Sequence, residues 1–194
     1  MFGKIKKYFK KLVPALTSED LQALEEMLTA QHLKKGDYLV KQGQICRYVS
    51  FINSGLLRLF SIEDGKEICT GFVRENDYIS EYTSFLTQQP STENIEALED
   101  CEVINLSFTN MQALYKTHPV FEQFGRKIAE QLFITLSNYN TRLLALTPED
   151  RYRIIVDTQP YVIQRVPQYM VASFVGVSPE HLSRIRKKLS QKSS

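Results

Sequence analysis

The chain has 194 residues, of which 43% are hydrophobic, and its 24 lysines and arginines nearly balance its 22 acidic residues. This length and composition fit a globular protein with one mid-sized core and a small second module. The sequence contains no apolar run of about eighteen residues, so we expect no transmembrane helix. The basic N-terminus lacks the apolar segment of a secretory signal. Three widely separated cysteines fit a reduced, cytoplasmic setting.

Two helices are predicted near the N-terminus. Five lysines in residues 1–12 accompany apolar residues at helical spacing, which predicts a basic amphipathic helix. Such a helix can pack onto the rest of the protein or touch a membrane surface, and we favour packing. The segment 18–29 begins with Ser18 as a predicted N-cap, with acidic residues in the first turn, which indicates a second, short helix.

Short strands are predicted from His32 to about Leu106. Turn residues recur there at the spacing expected of an all-β unit, and Asp64-Gly65 is a strong signal for a type I′ hairpin. Many short strands at this spacing predict a sandwich or barrel, with two-layer jelly-roll packing as one arrangement.

A long helix is predicted from Pro119 to Leu146. Its length, roughly 40 Å at the helical rise per residue, exceeds what a small domain needs for its own core. The spacing of its apolar residues is close to a coiled-coil seam and predicts a homodimer interface; packing wholly against the strands is the alternative. The predicted seam contains Phe124, Ile128, Leu132, Leu136, Tyr139 and Leu143, followed by Leu146. Thr147-Pro148 ends the helix, and we interpret the residues up to Asp150 as a hinge.

The segment from Val166 to Ser190 is typical of a helix-turn-helix. An apolar stretch leads to Gly176, which can adopt the left-handed conformation of a turn between helices. Ser178 follows as an N-cap with Pro179 at the first helical position. Leu182, Ile185 and Leu189 form a predicted buried stripe. The basic residues fall on the other faces, as in a helix that enters the major groove.

The distribution of charge agrees with a DNA-binding C-terminal module. Residues 151–194 hold eight lysines and arginines against two acidic residues, whereas residues 13–150 hold eleven against twenty. Phosphate contacts supply most non-specific affinity for DNA, so a basic module after an acidic body is the expected arrangement. A solvated basic tail would explain the terminal cations but not the patterned turn before them.

The order of these elements resembles the Crp–Fnr family of bacterial transcription regulators over almost the whole chain. In the strand region the resemblance rests on Gly36, Gly43, Gly55 and the sequence Asp-Gly-Lys-Glu at 64–67. In the C-terminal module it rests on Ala172, Gly176, Val177, Ser178, Leu182, Ser183, Arg184 and Ile185.

The resemblance implies an α+β fold in three parts. Residues 1–109 would form a cyclic-nucleotide-binding-like jelly-roll β-barrel (double-stranded β-helix) with N-terminal helices. Residues 110–147 would hold the dimerisation helix, and residues 148–194 the helix-turn-helix. The family's β-hairpin wing would be incomplete here, because the sequence stops at Ser194, shortly after the recognition helix.

Three residues match the family's base-reading positions: Pro179, Glu180 and Arg184. Arg184 is suited to a bidentate contact with guanine O6 and N7, and Glu180 can accept a hydrogen bond from cytosine N4. Family members often have arginine where Pro179 stands, so we expect a target sequence that differs in part.

Phosphate contacts are expected from the flanking polar residues. Ser178 offers its hydroxyl and the N–H groups of the helix start. His181 is either a further phosphate contact or a surface residue without a role. Lys187 and Lys188 are expected to contact phosphates rather than bases.

The family's ligand cassette is degenerate in this sequence. Cyclic-nucleotide-binding members carry Gly-Glu, followed further on by Arg and then Ser or Thr; the Glu holds the ribose and the Arg pairs with the cyclic phosphate. Here Ser80-Glu81 replaces Gly-Glu, Ser91 replaces the Arg, and Thr92 and Glu93 follow. The candidate ligand pocket comprises Tyr78, Ser80, Glu81, Ser91, Thr92 and Glu93.

Cyclic AMP is therefore not expected to bind at physiological levels, because its phosphate would lose its charge-assisted partner. The pocket either holds another effector, neutral or cationic, or is vestigial. The sequence has no N-terminal cysteine group for an iron–sulfur cluster, and His32, His118 and His181 have no context typical of haem ligation. We expect no cofactor.

The resulting prediction is a non-enzymatic, homodimeric, sequence-specific transcription regulator. Its expected partners are double-stranded DNA and a second copy of the chain, with RNA polymerase and a small-molecule effector as further candidates and no membrane. The alternative is a small-molecule or cyclic-nucleotide sensor whose C-terminal module docks protein. An enzyme is the weakest reading, because no catalytic or nucleotide-phosphate motif is recognisable.

Overall fold

A computed structural model of the chain describes residues 2–192. The chain divides into two compact units. One contains the residues up to Leu59 together with Phe72–Phe133; the other contains Phe60–Gly71 together with the residues from Ile134 onward. The domain limits inferred from sequence, at 109 and 147, remain predictions.

Eight strands form two four-stranded sheets in the described part of the chain. The strands are β1 (Leu28–Leu33), β2 (Tyr38–Val40), β3 (Tyr48–Ser54), β4 (Leu56–Glu63), β5 (Lys66–Arg74), β6 (Tyr78–Ile79), β7 (Asn94–Ala97) and β8 (Cys101–Ser107). One sheet has the order β1-β8-β3-β6 and the other β2-β7-β4-β5. The pairs β1–β8, β8–β3, β3–β6 and β2–β7 are antiparallel.

This order confirms the jelly-roll prediction and corrects it in one respect. The strands remain two separate hydrogen-bonded sheets, so the described residues form a two-layer jelly roll rather than a closed barrel. The predicted hairpin is confirmed: β4 ends at Glu63, β5 begins at Lys66, and Asp64 and Gly65 have φ values of 51° and 73°. Positive φ at both central residues is what a type I′ turn requires.

Nine helices are present within residues 2–192. They are α1 (Gly3–Leu12), α2 (Ser18–Glu26), α3 (Tyr82–Thr87), α4 (Phe108–Thr117), α5 (Val120–Ala145), α6 (Pro148–Thr158), α7 (Pro160–Arg165), α8 (Gln168–Val175) and α9 (Pro179–Lys192). None of the described helices is both long enough and apolar enough to cross a membrane.

The second helix begins differently from the prediction. Its N-cap is Thr17, not Ser18: the Thr17 hydroxyl accepts from the Asp20 amide at 3.1 Å, and the Asp20 carboxylate accepts from the Thr17 amide at 2.7 Å. This reciprocal capping box satisfies two amides that the helix start would otherwise leave unpaired, which is why the boundary lies one residue earlier.

The N-terminal helix packs against the core of the first unit, as we favoured. Ile5 and Phe9 are buried there, and the Phe9 ring stacks on Phe124 of α5 with centroids 3.7 Å apart. Lys127 of α5 donates to the carbonyl of Leu12 at 2.7 Å. The apolar face of α1 is thus covered within its own chain, and a membrane role for that face is not supported.

Candidate functional site

The predicted helix-turn-helix is formed by α8 and α9. Gly176 caps α8 with φ 79°, and the amide of Val177 donates to the carbonyl of Ala172 at 3.0 Å. The Ser178 hydroxyl then accepts from the amide of His181 at 3.2 Å and so caps α9. Of the predicted stripe of α9, Leu182 and Ile185 are buried, whereas Leu189 is only half-buried. The turn at Gly176 and the cap at Ser178 thus agree with the prediction.

The predicted base-reading residues lie together at the exposed start of α9. Pro179, Glu180 and Arg184 are all exposed. A hydrogen bond with the Ser178 side chain holds the pKa of Glu180 below its usual value, and the charge of Arg184 acts in the same direction. Glu180 is therefore a carboxylate at neutral pH. A carboxylate and a guanidinium one helical turn apart can offer an acceptor and a bidentate donor to base edges.

The two lysines predicted to contact phosphates have different surroundings. Lys187 is exposed on α9. Lys188 forms an ion pair with Glu149 of α6 at 2.5 Å, so its charge is already partly compensated inside the module. Lys187 is consequently the better placed of the two for a phosphate contact.

Arg151, which was not among the predicted site residues, connects helices α5, α6 and α8. Its guanidinium donates to the carbonyls of Leu143 at 2.9 Å, Leu146 at 3.2 Å and Val175 at 3.0 Å. The last carbonyls of a helix lack intrahelical partners, so Arg151, on α6, caps the ends of both α5 and α8. Thr147 caps α6 itself by accepting from the Asp150 amide at 3.2 Å. The segment interpreted as a hinge is closely hydrogen-bonded.

The predicted dimer seam divides into a covered part and an exposed part. Phe124 and Ile128 are buried in the core of the first unit, and Leu132 packs against that core. Tyr139 stacks on Phe174 of α8, with ring centroids 5.9 Å apart. Leu136 and Leu143 remain exposed, at 60% and 41%. The adjacent exposed apolar residues of α5 are Phe133, Ile134 and Leu144.

In the jelly roll, the Glu81 side chain caps the start of helix α3. Its buried carboxylate accepts from the amides of Thr83 at 3.2 Å and Ser84 at 2.9 Å, and so caps α3. A carboxylate whose oxygens accept from backbone amides holds its helix in place. The same oxygens would have to be shared with any bound ribose.

Ser91 is likewise engaged by its own loop. Its hydroxyl donates to the carbonyl of Glu93 at 2.7 Å and accepts from the Glu93 amide at 3.1 Å. Its backbone carbonyl accepts from the Gly43 amide at 2.8 Å. Ser91 is buried, whereas Thr92 is exposed. The predicted cassette therefore has at position 91 a short, buried side chain that is hydrogen-bonded within its own loop.

The remaining predicted pocket residues have separate partners. The Ser80 hydroxyl donates to the carbonyl of Tyr48 at 3.0 Å. Tyr78 contacts an aromatic group formed by Tyr8, Phe9, Phe51 and Phe124. Burial raises the pKa of Tyr78. The structure thus places Tyr78 among aromatic rings.

Within residues 2–192, no group of three or more histidine, cysteine or carboxylate side chains is arranged to hold a metal ion.

Comparison with known proteins identifies similar regulators. Residues 30–118 match the cyclic nucleotide-binding domain family. The transcriptional activator protein Anr of Pseudomonas aeruginosa is 32% identical over 107 residues, which are 54% of this chain and 43% of Anr. The match thus spans less than half the length of that relative. The cAMP-activated global transcriptional regulator CRP of Salmonella typhimurium is 24% identical over 180 residues, 86% of each chain.

Two solved structures share the fold. The c-di-GMP responsive global regulator CLP of Xanthomonas campestris superposes with a TM-score of 0.72 and 21% identity, covering 91% of this chain and 93% of CLP. The catabolite activator protein of Thermus thermophilus gives a TM-score of 0.58 and 19% identity, covering 94% of this chain and 87% of that protein.

Proposed function

We propose that the chain is a member of the Crp–Fnr family of regulators and that it is a homodimeric transcription regulator that reads a palindromic DNA operator without cyclic AMP. The observation that carries this proposal is the exposed start of α9, where Glu180 and Arg184 lie together on a helix held by the Gly176 turn and the Ser178 cap. The relatives described above are named as transcription regulators, in agreement with the expectation of a protein that is not an enzyme.

The exposed apolar residues of α5 support the homodimer. Phe133, Leu136 and Leu144 are 73%, 60% and 89% exposed. A helix that exposes large apolar side chains in succession gains by pairing with a second apolar face. We restrict the proposed seam to the exposed part of α5, from Phe133 to Leu144, because Phe124 and Ile128 are covered within the chain. A two-fold dimer presents two equivalent copies of α9, the predicted reading helix, and these match the two half-sites of a palindrome.

Selection from random-sequence DNA with the purified full-length protein, without effector, tests this function. We expect enrichment of a palindromic motif with half-sites about one helical turn apart. Binding to the enriched sequence should weaken steeply as salt rises, because each neutralised phosphate releases counterions. A protein that enriches no motif, and whose weak retention on DNA is the same for every sequence, would instead favour a sensor whose C-terminal module docks protein.

Cyclic AMP should not bind at micromolar concentrations. The buried Ser91 stands where an arginine would pair with the phosphate, and Glu81 already caps α3. Loss of one buried charge contact costs about 2–5 kcal/mol, roughly a thirty-fold to several-thousand-fold loss of affinity. Isothermal titration calorimetry of the wild-type protein should show no heat of binding in this range. Micromolar binding that disappears in Glu81→Ala would contradict the proposal.

A further inference from the structure

The outer edge of the sheet β2-β7-β4-β5 is strand β5, and it meets a side chain of the helix-turn-helix. An edge strand presents backbone N–H and C=O groups that no neighbouring strand pairs. Ser173, on α8, lies against two backbone groups of β5. The Cys69 amide donates to the Ser173 hydroxyl oxygen at 3.0 Å, and that hydroxyl donates to the Glu67 carbonyl at 3.1 Å.

The Ser173 hydroxyl bonds to the edge of β5 in the way that a short neighbouring strand would. Residues 67 and 69 are two apart and therefore direct their backbone groups to the same side of β5. The Ser173 hydroxyl accepts from the Cys69 amide and donates to the Glu67 carbonyl, which uses its one donor and one of its two acceptor lone pairs. The Cys69 side chain is only 2% exposed. The contact is a local seal between the β4–β5 hairpin and α8, and the three residues that form it, Glu67, Cys69 and Ser173, all lie in the second unit.

The residues that follow Ser173 attach α8 to the long helix. Phe174 stacks on Tyr139, and the Val175 carbonyl accepts from Arg151, which also binds Leu143 and Leu146. Helix α8 is thus held by the hairpin through Ser173, by α5 through Phe174, and by Arg151 of α6 through Val175. Gly176 follows directly and leads into α9, so what positions α8 also positions the reading helix.

We propose that Ser173 is a positioning residue that latches the reading head, which consists of helices α8 and α9, to the edge of the β4–β5 hairpin. The latch aligns the head on the end of α5 and so sets the separation of the two reading helices in the dimer. This role rests on the proposed function, since it concerns how an operator is read.

Hydrogen exchange tests the latch without DNA. In Ser173→Ala the Cys69 amide loses the Ser173 hydroxyl as an acceptor, and the exchange rate of that amide, followed by NMR on the whole chain, should rise by about tenfold or more. Ser173→Thr keeps a hydroxyl and should retain slow exchange. Thr158→Ala is the matched control, because the Thr158 hydroxyl bonds only within its own helix, to the Ile154 carbonyl at 2.7 Å. An unchanged Cys69 rate in Ser173→Ala would overturn the latch.

DNA selection tests what the latch does. The wild type and Thr158→Ala should enrich half-sites at a single separation. Ser173→Ala should accept a wider range of separations and bind the wild-type operator about tenfold more weakly, with Ser173→Thr restoring the single separation. Faster Cys69 exchange without a change in separation or affinity would overturn the positioning role. If the wild type enriches no motif, the proposed function fails and the positioning role fails with it, whereas the exchange experiment still decides whether the seal exists.

Discussion

Replacing Arg184 with alanine is expected to abolish operator selection and leave the fold intact. Arg184 is exposed on α9, one turn after Glu180. A bidentate contact between arginine and guanine contributes about 1–3 kcal/mol of discrimination. A homodimer makes the contact twice, so the loss is about 2–6 kcal/mol, roughly thirty-fold to more than ten-thousand-fold in affinity. Fluorescence anisotropy with the selected operator measures this loss.

Lys187→Ala is the matched control for Arg184→Ala. Lys187 is exposed on the same helix and is predicted to contact a DNA phosphate. Its loss should therefore weaken binding to all DNA sequences about equally and reduce the salt dependence of binding. The motif enriched by Lys187→Ala should remain that of the wild type. Enrichment of the unchanged motif by Arg184→Ala would show that this arginine does not read the operator. Circular dichroism should be the same for all three proteins, because neither side chain is buried.

Gly55→Ala is expected to cost the protein about 2–6 kcal/mol of unfolding free energy. Gly55 connects β3 to β4 with φ 100°, a conformation that strains any side chain. An added Cβ would also lie 2.4 Å from the Cys101 sulfur and 2.8 Å from the Asp100 carbonyl oxygen. The backbone carbonyl cannot move aside as a flexible side chain would, so strain and overpacking add.

Gly36→Ala separates these two costs. Gly36 has φ 89°, similar to that of Gly55, but nothing lies within 4 Å of the Cβ position. It should therefore show the strain of about 1–3 kcal/mol without the clash. Urea unfolding of the three proteins, compared at their transition midpoints, gives both values. A midpoint for Gly55→Ala equal to that of Gly36→Ala would contradict the packing argument.

The sequence alone determined the features that depend on neighbours along the chain. Asp64-Gly65 predicted the hairpin, and Gly176 followed by Ser178 and Pro179 predicted the turn and the start of α9; the φ values and caps agree. Such signals are readable because the conformational preference and its partner lie within a few residues. The same holds for the succession of short strands, from which the jelly roll was predicted. The N-cap at Thr17 was missed by one residue, because adjacent Thr17 and Ser18 are both good caps and only the pairing with Asp20 distinguishes them.

Only the tertiary structure decided which faces and side chains meet across the chain. The heptad-like spacing of α5 could not show that Phe124 and Ile128 belong to the chain's own core while Leu136 stays exposed, because periodicity defines a face and not what covers it. The bonds of Ser173 to Cys69 and Glu67 join residues 104 and 106 positions apart. No local pattern encodes such a pair, since its geometry depends on the path of all the chain between. The Ser173 contact and the Arg151 cap therefore depend on the folded molecule. The helix-turn-helix, in contrast, can be predicted from its own twenty-five residues, Val166 to Ser190.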